Sequence, residues 1–77
     1  MHPSNKITLD NLADVFAYHP PVGDQAQRHA AVKTAAYAFA EAILTLAPDC
    51  ADRAAALRHV REAMMTASAA IALEPRG

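Results

Sequence analysis

Apolar residues return at Leu9, Leu12, Val15 and Phe16, a helical spacing that lasts about two turns and predicts a short first helix. The run His19-Pro20-Pro21-Val22-Gly23 ends it. Proline disfavours a helical conformation in the residue before it, and two in a row hold the chain extended, so a rigid corner is expected after Tyr18. Asp24, with Gln27 three positions on, has the form of a capped helix start, and that helix can run until Pro48 stops it. Asp49 is placed to cap a third helix, whose periodic residues continue to Ile71 and Leu73 before Pro75 and Gly77. The short Ala47-Pro48-Asp49 link implies an antiparallel hairpin. No alternating β pattern and no internal repeat is present. The predicted fold class is all-α, a short N-terminal helix followed by an antiparallel helical hairpin, assembled into a homo-oligomer. Residues 1–8, with Pro3, Ser4 and Asn5, are expected to form a flexible arm, residues 9–74 the single domain and residues 75–77 a tail.

On the second helix Val32, Ala36, Phe39, Ile43 and Leu46 fall on one stripe, while Gln27, Thr34, Glu41 and Thr45 fall on the polar side. The stripe is the expected hairpin core. Beside it run Ala26, Ala30, Lys33, Tyr37, Ala40 and Leu44, so the apolar arc is wider than one partner helix requires, and the surplus is expected to meet another subunit. On the third helix Leu57, Val60, Met64, Ala67 and Ile71 make the matching seam, flanked by Ala56, Ala63 and Ala70, which permit close helix approach.

Composition sharpens this picture. The 77 residues are 53% hydrophobic, but 20 of them are alanine, so side-chain volume is scarce. A chain this short gains only a few kcal/mol from one core and usually adds disulfides, a metal or partner subunits. Cys50 is alone, with no second thiol at disulfide or metal-ligand spacing, which leaves oligomerisation and points to the cytosol. Seven Lys and Arg against eight Asp and Glu give no field that would favour duplex DNA. No membrane-length apolar run and no signal-peptide pattern is present.

Candidate chemistry gathers at the corner and on one helix face. Tyr18, directly before the Pro-stiffened corner, has two readings: a fixed, partly exposed ring on which a nucleobase stacks, or a half-buried ring closing the core. His19 can donate to a phosphate or a base edge, or make a local turn contact. Gly23 allows backbone amides to approach a ligand where the second helix begins, or serves the turn alone. Lys33 is the one charge in the apolar interface stripe; its head either reaches water along that surface or meets an anion at an interface. There is no His-x-x-x-His pair, Gly-x-Ser-x-Gly, Walker loop or paired Cys, so no enzyme, metal site or cofactor is expected.

The segment Asp14-Val15-Phe16-Ala17-Tyr18-His19-Pro20-Pro21, Lys33 fifteen residues after Tyr18, and the run from Arg61 through Thr66 to Ala72 together resemble the phage anti-CBASS sponge family. The resemblance covers roughly residues 9–74. It implies a hexamer of helical hairpins that sequesters cyclic dinucleotides such as cyclic GMP-AMP between protomers, with separate sites in some members for cyclic trinucleotides, in the cytoplasm of an infected bacterium. It also implies a stacking role for Tyr18 and a phosphate-facing role for Lys33, and the candidate ligand-binding set is Tyr18, His19, Pro20, Lys33, Arg61 and Thr66. Ser68 stands where relatives are expected to carry Asn. Two other functions remain open: a hairpin that grips another protein's helix, and a sponge for a cyclic ADP-ribose signal; a hydrolase would need a metal site or an activated nucleophile, and His19, His29 and His59 have no spacing that supports one.

Overall fold

The computed structural model describes residues 6–74. The first five positions of the expected arm and the tail at 75–77 lie outside the described residues. Three helices follow in order: α1 (Leu12–Phe16), α2 (Gln25–Leu46) and α3 (Ala51–Ala72). There is no strand among the described residues. At 22 residues each, α2 and α3 are about 33 Å long, and they pack on each other as the hairpin that the Pro48 break anticipates. The first helix is shorter than its apolar spacing predicts, five residues in place of two turns. It ends at Phe16, because Ala17 is already extended (φ −76°, ψ 154°), and Tyr18 therefore lies beyond the helix.

Neither expected N-terminal capping bond forms. Asp24 occupies the cap position of α2 but makes no capping hydrogen bond; its Oδ1 accepts from Arg28 Nε at 3.0 Å. Asp49 pairs with Arg53 at 3.1 Å, and Cys50 stands at the cap position of α3. In each case an arginine four residues ahead offers the carboxylate a charged partner in place of a backbone amide. Gln25, not Gln27, supplies the reciprocal bond, its Oε1 accepting from Val22 N at 3.0 Å.

Along the seam, Val32, Ala36, Ala40 and Ile43 of α2 face Leu57, Val60, Met64, Ala67 and Ile71 of α3, all half-buried. The α3 side agrees with the sequence pattern; on α2, Ala40 takes the place expected for Phe39, which is 60% exposed, and Leu46 is exposed as well. No hydrophobic side chain is fully buried among the described residues. The one buried residue among those described is Gln25, at 2% exposure. Its Nε2 donates to Ile71 O at 2.9 Å and to Glu74 Oε1 at 3.0 Å, and Arg28 Nη2 donates to the same Glu74 oxygen. This polar clasp ties the start of α2 to the end of α3. The Arg28 and Gln25 hydrogen bonds hold the Glu74 carboxyl below its ordinary range, and the bond to Glu74 raises Arg28.

Candidate functional site

The corner between α1 and α2 is built by three local devices. Asp14 O, at the end of α1, accepts from Ala17 N at 3.2 Å and from His19 Nε2 at 2.6 Å. Pro20 and Pro21 then hold the chain extended. A turn follows: Gln25 N donates to Val22 O at 3.0 Å, Gly23 has φ +56°, and Asp24 has φ −90° and ψ 8°, the pattern of a type II′ turn. A left-handed φ favours glycine, and a Cβ at Gly23 would meet nothing within 4 Å, so the requirement is conformational. The amides of Val22 and Gln25 are used inside this turn.

Tyr18 projects from the corner at 85% exposure and closes no core within the chain. His19, the next residue, is turned the other way, with 15% of its side chain exposed and its Nε2 on Asp14 O. Its ring also lies 3.7 Å from Asp14 Oδ1. Pro20 is exposed.

Lys33 and Arg61 come together. They line one open groove of about 260 Å³ from opposite helices, with Tyr37 beside Lys33 and Leu57, Val60 and Met64 along the floor. Neither cation makes an ion pair among the described residues, whereas Arg28 and Arg53 do. Two unpartnered cations over an apolar floor make a place for an anion that also carries flat or apolar surface. Tyr37, 72% exposed, belongs by periodicity to the stripe expected to meet another subunit; its position one turn after Lys33 is the signal that puts it on this groove.

Thr66 does not join them. Its Oγ1 donates to Glu62 O at 2.8 Å, and it lines a second groove of about 430 Å³, where Lys6, Ile7 and Val15 face Ala69, Ala70 and Leu73. Tyr18, His19 and Pro20 line neither groove. A third, almost wholly apolar groove of about 570 Å³ runs along the other side of the hairpin, between Ala35, Phe39 and Ile43 of α2 and Ala56, Ala63 and Met64 of α3. Among the described residues no group of three His, Cys, Asp or Glu could hold a metal ion, and no helix is long and apolar enough to cross a membrane.

The chain is thus a helical hairpin with an exposed aromatic corner and a cationic groove. Residues 8–72 match the family model described as the Acb2/Tad1 hairpin domain, and the chain belongs to that family of anti-CBASS sponges. No curated protein and no solved structure matches the chain.

Proposed function

We propose that this protein is a phage anti-defence sponge: a homo-oligomer, hexameric as the family resemblance implies, that sequesters cyclic dinucleotides such as cyclic GMP-AMP in the host cytoplasm without cleaving them and so blocks CBASS immunity. The observation that carries this reading is the Lys33–Arg61 groove, two unpaired cations spaced across an apolar floor. A cyclic dinucleotide presents two phosphates and two bases, so it needs two cationic contacts and stacking surfaces. Lys33 and Arg61 take the phosphates and Tyr18 stacks on a base, while His19 and Pro20 shape the corner that carries it. Tyr18 does not line the groove of its own chain, which favours a site completed by a second copy. The Thr66 groove is a separate place for a second ligand class, cyclic trinucleotides.

The experiment is calorimetry against a panel of cyclic dinucleotides, cyclic trinucleotides and cyclic ADP-ribose, followed by heat release and chromatography of the bound fraction. Tight binding of cyclic dinucleotides with intact recovery is expected. A shortened or linearised product would make the protein a hydrolase, tight binding of cyclic ADP-ribose alone would identify a different signal, and no binding would leave the protein-interaction reading.

A further inference from the structure

We infer that His19 is a positioning residue: through its Nε2–H bond to Asp14 O it fixes the corner so that the Tyr18 ring is held out for stacking. This rests on the reading of Tyr18 as a base platform. Three observations carry it. First, one carbonyl, Asp14 O, accepts from both neighbours of Tyr18, from Ala17 N at 3.2 Å and from His19 Nε2 at 2.6 Å, so the tyrosine is tied down on both sides. Second, Ala17 is extended and Pro20 excludes a helical conformation at His19; successive side chains of an extended segment point to opposite sides. The exposures agree, with Tyr18 at 85% and the His19 side chain at 15%. Third, Tyr18 touches no core that would orient it, so its direction is set by the backbone ties on either side of it, of which the His19 bond is the nearest on the C-terminal side.

The bond also fixes the chemistry of the ring. A carbonyl oxygen only accepts, so Nε2 carries a hydrogen, and its bond to Asp14 O leaves His19 Nδ1 as the nitrogen without this role. His19 thus acts on the ligand through Tyr18, and its hydrogen on Nε2 is committed within the chain.

The test is a set of variants in the assembled protein, read by calorimetry with cyclic GMP-AMP and by thermal melting. His19→Phe keeps a ring in the same enclosed place and removes the donor; His19→Gln keeps a donor near the Nε2 position. The Phe variant is expected to bind about three- to tenfold more weakly, the range one neutral hydrogen bond supplies, and the Gln variant within about twofold of wild type. In a Tyr18→Ala background, His19→Phe is expected to cost no further affinity, which a general loss of folding would not reproduce. Long-range proton–nitrogen correlation spectra are expected to show His19 protonated at Nε2 with and without ligand. The inference is overturned if His19→Phe binds as wild type while Tyr18→Ala is impaired, or if His19→Phe costs as much in the Tyr18→Ala background as alone, which would make it a structural residue or a direct ligand contact. Unchanged binding by Tyr18→Ala alone overturns the stacking reading itself, and the inference with it.

Discussion

At the scale of single residues, Lys33 could be found in the sequence because a charge interrupts an apolar stripe, a conflict that one helix displays without its neighbours. Arg61 could not be joined to it by the same means: that needs the register of α3 against α2, which periodicity within either helix does not contain. His19 was legible as a polar group beside an aromatic, but its bond to a carbonyl five residues back is a matter of geometry. If both cations meet phosphate, Lys33→Ala and Arg61→Ala should each weaken cyclic GMP-AMP binding about ten- to a hundredfold, the range for one charge-assisted contact. Arg58→Ala, exposed and outside the groove, should leave affinity unchanged; equal affinities for all three variants by calorimetry would mean that the groove does not meet the ligand. Tyr18→Phe keeps the π face and should bind as wild type, whereas Tyr18→Ala should lose roughly 1–3 kcal/mol. Because the ring is 85% exposed in the chain, the melting temperature of the Ala variant should stay put unless the ring is buried between subunits.

At the scale of elements, the two long helices follow from their breakers and periodicity, since Pro48 permits no other boundary. Their ends were less readable. Asp24 and Asp49 carry the residue type of a cap, yet Arg28 and Arg53 compete for them one turn on, and a sequence does not rank those two bonds. The clasp of Gln25, Arg28 and Glu74 was invisible for a plainer reason: its partners are 46 and 49 positions apart in the chain. Gln25→Ala removes partners from Ile71 O and Val22 N at the one buried residue among those described and should cost about 1–3 kcal/mol. The clasp also has a pH dependence of defined sign. Glu74 is held below its ordinary range by Arg28 and Gln25, so its contribution is fully present above the unfolded value, roughly pH 4.3, and fades as the pH falls through the lower folded value. The melting temperature of wild type should therefore exceed that of Glu74→Gln at neutral pH, and the gap should close in acid; a gap independent of pH would show that the carboxylate charge is not what the clasp uses.

At the scale of the whole molecule, the single chain is elongated and open. Its radius of gyration is 15.4 Å, against about 11.5 Å for a compact domain of this length. Its accessible surface is 6045 Å², against about 4500 Å² for a compact monomer of this mass, and the excess of roughly 1500 Å² is about twice the roughly 800 Å² that one partner contributes to a standard interface. The alanine count foretold scarce volume, and the absence of a buried hydrophobic among the described residues is its consequence. Which surface a second copy would cover is not legible in the sequence, because the periodicity puts Phe39 in the hairpin seam, whereas it lines the 570 Å³ apolar groove on its flank. That placement gives the sharpest test of assembly. Phe39→Glu sets a charge in the groove, where it stays hydrated in a lone hairpin but loses its water if another subunit packs there. Light scattering of the wild type should give six copies of 8.2 kDa, about 49 kDa, and the Glu variant should fall toward 8.2 kDa with its helical content kept, since Phe39 is 60% exposed within the hairpin. Loss of cyclic GMP-AMP binding in that folded monomer would follow from a site shared between copies. A Glu variant that stays assembled would move the interface to another face, and a monomer that binds as tightly as the assembly would confine the whole site to one chain.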